Sequence, residues 1–132
     1  MAKIEKFEEI IWWKEARILN KKIGKLIDDG RFKKSYRLIN QIEGSAGSVM
    51  DNIAEGFERG GNKEFIQFLY VAKGSCGELR SQLYRALDRE YITQAEFEEY
   101  AIHAMKISGL IQKFIEYLEN APEKGVKYKS RK

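Results

Sequence analysis

Apolar residues recur at spacings of three and four along four stretches of this chain, and no proline interrupts any of them; Pro122 stands after the last. A period near 3.6 lines one face of a helix, whereas a half-buried strand would alternate at every second position. The first stretch begins near Glu8, carries Trp12, Ala16, Leu19, Ile23 and Leu26, and stops at Asp28, Asp29 and Gly30. The second runs from about Phe32 through Ile39, Ile42, Ala46, Val49, Ile53 and Phe57 to the Gly60-Gly61 pair, a C-terminal stop. Asn62 is placed to cap the third, which carries Phe65, Leu69, Ala72, Cys76, Leu79, Leu83 and Ala86 and ends around Tyr91. Thr93 and Glu96 form a capping box for the fourth, whose stripe is Phe97, Tyr100, Ala104, Ile107, Ile111, Phe114 and Leu118. At 1.5 Å per residue each helix is ~30 to 40 Å long, and connections this short make neighbours antiparallel. The expected fold is all-α: an antiparallel up-down-up-down four-helix bundle over residues 1–120, followed by a short, flexible basic tail at 121–132.

A chain of 132 residues, 43% of them hydrophobic, can bury one core. Its longest apolar runs, such as Phe68 to Ala72, fall far short of the ~20 residues a membrane span needs. The N-terminal MAKIEKFEEI is too charged for a signal-peptide core, and a single cysteine, Cys76, suits a reducing compartment, so the expected location is cytoplasmic. The net charge of +4 resides in the tail, since residues 1–120 are balanced. Within that neutral body, Lys14 to Arg37 still holds nine basic residues against Glu15, Asp28 and Asp29. Such a patch suits an anionic partner.

Catalytic chemistry finds few candidates. His103 is the only histidine, and Tyr100, not glutamate, stands three residues before it, so the paired Glu-x-x-His ligands of di-metal bundles are missing. Helical ribonucleases often place Arg five residues before His, and here that position is Glu98. Cys76 lies on an apolar stripe with no histidine near it in sequence. Arg59-Gly-Gly-Asn-Lys63 lacks the Lys-Ser/Thr ending and the preceding strand of a phosphate loop. Asp51 and Glu55 share a helix face, but Glu55 also stands four before Arg59, where an ion pair forms. The expectation is a protein that is not an enzyme and holds neither cofactor nor metal.

Two features point instead to self-association. Ile10 to Trp13 and Phe68 to Ala72 are apolar all the way round a helix, which suits burial on two sides and makes Trp12, Trp13 and Tyr70 candidates for an intersubunit surface. The plainer alternative leaves these rings flat on a monomer surface. Gly24, Gly44, Gly47, Gly74, Gly77 and Gly109 all fall inside the expected helices, at about 1 kcal/mol each relative to alanine. The clusters around Gly44 and Gly47, and around Gly74 and Gly77, would let helix backbones approach closely.

The segments NIAEG (Asn52 to Gly56), KEFIQFLYVAKGSCGEL (Lys63 to Leu79) and FEEIIWWKEA (Phe7 to Ala16) resemble the bacterial four-helix bundle family named after proteins encoded in intervening sequences of large ribosomal RNA genes. A related branch is the accessory variability determinant of diversity-generating retroelements. The resemblance covers about residues 7–120 and implies a homopentamer without known enzymatic activity; the accessory branch implies association with a reverse transcriptase and with nucleic acid. Val49-Met50-Asp51 replaces a stretch that often contains proline, so the second helix is expected to be straighter here. Within the shared segment, Asn52 and Glu55 lie one turn apart beside Ile53, while Ala54 and Gly56 leave room. They suit a bridge to a neighbouring helix or subunit; direct ligand contact is the alternative.

Lys14, Arg17, Lys21 and Lys25 form a stripe at helical spacing, continued by Arg31, Lys33, Lys34 and Arg37. The leading expectation is a homo-oligomer that binds RNA or DNA through this basic surface, by charge and shape. A solvated basic face is the plain alternative. The other functional candidate is an interaction scaffold for a partner protein such as a reverse transcriptase.

Overall fold

The computed structural model describes residues 4–121, so the basic tail, beyond its first residue, lies outside the described residues. A 3-10 turn at Phe7–Glu9 precedes α1 (Ile11–Asp28), α2 (Tyr36–Arg59), α3 (Asn62–Asp88) and α4 (Gln94–Glu119). Each helix packs on its neighbours in sequence and α1 closes against α4, giving an all-α antiparallel four-helix bundle. Among the described residues there is no strand. The apolar stripes meet in one core that includes Leu19, Ile23, Ile42, Ile53, Leu69, Leu79, Ile107 and Ile111.

Two helix starts differ from the sequence reading, for the same reason. The first helix does not begin near Glu8: Ile10 leaves helical geometry (φ −74°, ψ 123°) and drives its side chain into the core, where it is 1% exposed. The second does not begin at Phe32 but at Tyr36, because Phe32 plugs the end of the bundle, fully buried, with its ring 5.8 Å from Tyr91. Gly30 (φ 76°) and Lys33 (φ 54°) take left-handed conformations on either side of it to make that inward turn. Burying a phenylalanine outweighs one more turn of helix, since the ring contributes about 1.5–3 kcal/mol and a turn of propagating residues about 1 kcal/mol or less.

At the start of α3 the N-cap position is taken by Gly61, without a side-chain cap, and Asn62 is the first helical residue, which corrects its expected capping role; the end of α2 and the start of α4 follow the local chemistry. Gly60 closes α2 at φ 101°, which a side chain rarely tolerates. The Thr93 hydroxyl accepts the Glu96 backbone N–H at 3.1 Å, and the Glu96 carboxylate accepts the Thr93 N–H at 2.8 Å.

The α2–α3 seam is the most polar part of the interior. Asn52 Nδ2 donates to the carbonyl and the hydroxyl of Ser48, at 2.8 and 2.9 Å, and the Ser75 hydroxyl donates to Ser48 Oγ at 2.8 Å. Ser45 Oγ donates to Gln82 Oε1 at 2.8 Å one turn away. On the opposite side of α2, Asn20 Nδ2 bridges from α1 to the Ala46 carbonyl at 2.7 Å. These bonds fix register along surfaces that dispersion alone would let slide.

The glycines divide by their surroundings. A Cβ at Gly56 would lie 2.7 Å from Phe68 Cβ and 2.9 Å from Phe65 Cδ1, so here α3 presses directly on α2. Among the described residues nothing lies within 4 Å of such an atom at Gly44, Gly47, Gly74 or Gly77, so no other helix of the bundle approaches them closely. Gly56→Ala is therefore expected to destabilise the fold by about 1–3 kcal/mol through overpacking. Gly74→Ala and Gly77→Ala are each expected to strengthen α3 by about 0.5–1 kcal/mol. Urea unfolding monitored by circular dichroism checks both signs.

Candidate nucleic-acid interface

The rotation of α1 is set by three constraints. Its stripe of Trp12, Ala16, Leu19, Ile23 and Leu26 faces inward. Towards α4, Lys22 Nζ meets Glu99 at 2.8 Å, and Glu15 lies 2.7 Å from His103 Nε2 and 3.8 Å from Lys106. Asn20 looks the other way, towards α2. What remains outward is Lys14, Arg17, Lys21 and Lys25, all exposed, together with Ile11 and Ile18. Lys25 reaches Asp29 at 3.5 Å, and the Arg17 guanidinium lies 6.0 Å from the centre of the Trp13 ring. Lys14 and Lys21 have no ion-pair partner among the described residues.

The cations after α1 separate into two kinds. Arg31 is turned back onto α4, where both terminal nitrogens grip the Glu96 carboxylate, one at 2.9 Å. This guanidinium is a fastener between the α1–α2 turn and the α4 cap, which corrects its assignment to the free basic surface. The Arg31 hydrogen bond, helped by the Thr93 backbone and by charge and opposed by desolvation, lowers the Glu96 pKa to about 2. Lys33, Lys34 and Arg37 are exposed and have no ion-pair partner among the described residues.

The fold adds two residues that sequence spacing did not reveal. Arg85 Nη1 donates to Gln41 Oε1 at 2.8 Å, one turn along α2 from Arg37, and the Arg89 guanidinium lies 5.3 Å from the centre of the Tyr91 ring. Both are exposed on the last part of α3 and its C-cap. Their four-residue spacing marks one helix face, but only the antiparallel α2–α3 pairing carries that face to the α1–α2 turn. An open cleft of about 540 Å³ lies at the same end, lined by Gly30, Arg31, Lys33, Tyr91 and Thr93.

Trp12 is a core residue, 8% exposed and 4.7 Å from the Phe114 ring, so it is not available to another subunit; this corrects its assignment to an intersubunit surface. Trp13 is half-buried against Phe7, with ring centres 5.0 Å apart. Tyr70 is exposed near Glu119, and Gly44, Gly74 and Gly77 are exposed while Gly47 is half-buried. In the shared segment, Asn52 serves the α2–α3 seam, Ile53 is core, Ala54 is half-buried, Glu55 pairs with Arg59 at 2.8 Å, and Gly56 admits the α3 rings. His103, poorly exposed, is engaged by Glu15. Burial pushes the Cys76 thiol up to about 12, far from a nucleophile's range.

The fold is that of an all-α four-helix bundle, with an outward basic helix face and with its interior polar groups given over to register. The chain belongs to the 23S rRNA-intervening sequence protein family, whose model matches residues 8–113. Among solved structures it is similar to a protein of unknown function from the S23 ribosomal protein family of Bacteroides thetaiotaomicron VPI-5482. That likeness has a TM-score of 0.62 at 21% identity and covers 77% of this chain and 98% of the other, so it bears on the fold alone. No curated protein matches the chain in sequence. Among the described residues no helix is long and apolar enough to cross a membrane.

The Arg31–Glu96 pair makes a pH prediction. Because the folded-state pKa of Glu96 lies below its ordinary value of 4.5, the pair's contribution is complete above that value and is lost as pH falls towards about 2. Glu96→Gln keeps a capping side chain but removes the charge. It is expected to cost about 1–2 kcal/mol at neutral pH and to flatten the loss of stability between the two values. Thermal melts over that range measure both effects.

Proposed function

We propose that the protein is a non-enzymatic homo-oligomer that binds nucleic acid, RNA or DNA, through its basic surface. The observation that carries this reading is the outward face of α1: Lys14, Arg17, Lys21 and Lys25 are all exposed, while Glu15 and Lys22 on the same helix are taken up by α4. Exposed cations in a stripe can neutralise phosphates, and in an assembly the stripe repeats, so weak contacts sum to avidity. Lys33, Lys34 and Arg37 extend it. Among the described residues no side chain is presented in a pattern that reads base edges, so recognition is by charge and shape.

Self-association is supported by apolar and small residues that the bundle leaves outside. Tyr70 (46% exposed), Val71 (52%), Gly74 and Gly77 follow one another along the outer face of α3, and Ile102 (65%), Met105 (52%) and Gly109 do so on α4. Glycines with open space above them make sense where a second backbone approaches. The family resemblance sets the expected number of copies at five. A second reading, an accessory subunit for a partner such as a reverse transcriptase, is favoured by the same exposed Ile102 and Met105; partner binding that survives high salt distinguishes it.

Replacing Lys14, Arg17, Lys21 and Lys25 together by Gln is expected to weaken binding to both RNA and duplex DNA. Each lost phosphate contact on duplex reduces the slope of log affinity against log salt by about 0.9. Fluorescence anisotropy at two salt concentrations measures this, and unchanged affinity removes α1 from the site. Light scattering is expected to give a multiple of the single-chain mass. Gly74→Ala with Gly77→Ala is expected to lower that mass while raising the stability of the helix; a wild-type protein that is monomeric and folded when dilute overturns the assembly.

A further inference from the structure

Five cations gather at the end of the bundle where the α1–α2 turn meets the C-terminus of α3. Lys33, Lys34 and Arg37 come from the turn and the start of α2, and Arg85 and Arg89 from the end of α3. The elements are tied together by the Arg85–Gln41 hydrogen bond, by the 5.8 Å approach of the Phe32 and Tyr91 rings, and by the cleft that Lys33 shares with Leu87 and Tyr91. None of the five cations has an ion-pair partner among the described residues, and the nearby acids in sequence, Asp88 and Glu90, are both exposed. Unlike the stripe on α1, which lies on one helix, this cluster is shared between two elements, and an aromatic residue stands in the same stretch of chain as three of its cations. Tyr36, between Ser35 and Arg37 at the first position of α2, is 64% exposed, the most exposed aromatic side chain among the described residues.

We infer that this end of the bundle is a docking site for a single-stranded nucleic-acid segment, its phosphates held by Lys33, Lys34, Arg37, Arg85 and Arg89 and one base stacked on Tyr36. The inference rests on the proposed nucleic-acid binding and makes it specific in place and in strandedness. A flat ring held in water beside several cations offers a surface to any base, whichever its sequence, provided the base is free of its own stack. A duplex keeps its base faces covered, so Tyr36 offers it nothing and only the charges act. A flexible single strand can also adapt its backbone to cations carried on two different elements, which a stiff duplex does less readily. The left-handed turn at Lys33 and the inward anchor of Phe32 hold the cluster in place before any ligand arrives.

The test uses the full chain, with a short fluorescein-labelled single strand of mixed sequence, as RNA or DNA, and a blunt duplex of the same sequence. Tyr36→Ala is expected to weaken single-strand binding about 5- to 150-fold, the equivalent of about 1–3 kcal/mol for one stacked base, and to change duplex binding less than about twofold. Tyr36→Phe, which keeps the ring, is expected to bind as the wild type does. Arg85→Gln with Arg89→Gln is expected to reduce the salt slope on the single strand by about 1.4. All these side chains are exposed, and far-ultraviolet circular dichroism confirms that each variant is folded. Single-strand binding untouched by Tyr36→Ala and by the double arginine variant overturns the inference; if the four-residue α1 variant then abolishes binding, the broader proposal stands without it. A wild-type protein that binds neither probe at low salt overturns both.

Discussion

The approach of α3 to α2 at Gly56 is the contact on which the rest of the bundle's geometry depends. With no Cβ at that position, Phe65 and Phe68 can lie directly against the α2 backbone. The two helices are thereby close enough for Ser48 to meet Ser75 and for Ser45 to meet Gln82. A slip along the seam would break these hydrogen bonds in an interior where an unmade bond costs about 1–3 kcal/mol. The seam therefore has one register. That register carries Arg85 to Gln41, and with it the last turn of α3 to the second turn of α2.

A second constraint governs the end of the bundle that bears the proposed single-strand site. Phe32 is buried there by a turn that uses two left-handed residues, and Arg31 holds the turn to the cap of α4 through Glu96. One arginine thus fastens the end while its neighbours Lys33, Lys34 and Arg37 stay free. The same division appears on α1, where Lys22 is taken up by Glu99 and Lys21, the residue before it, is not. Structural and available cations alternate along one segment because helix rotation sends adjacent residues about 100° apart.

The number of helices, their stripes and the Thr93–Glu96 cap were legible in the sequence because each depends on residues within a few positions of one another. The starts of α1 and α2 were not. Ile10 and Phe32 fit a helical pattern, yet each leaves the helix because a cavity in the assembled core receives it. The apolar run from Ile10 to Trp13 likewise gave no hint that Ile10 and Trp12 are buried within one chain while Ile11 is left outside. Counting charges found the basic segment from Lys14 to Arg37 but could not tell Arg31 from Lys33. It also passed over Arg85 and Arg89, which lie in a part of the chain where acids balance bases.

By itself the sequence determined an all-helical chain of four amphipathic rods, the order in which they fold back, and the family, since periodicity, capping and the NIAEG segment are all local. Only the tertiary structure decided which glycine is a point of contact and which stand open, which cations are fasteners and which are free, and which distant residues share an end. Those outcomes depend on how far each helix is rotated and shifted against its neighbours. Rotation and shift are set by side chains meeting across helices, and no spacing along one chain segment contains that information.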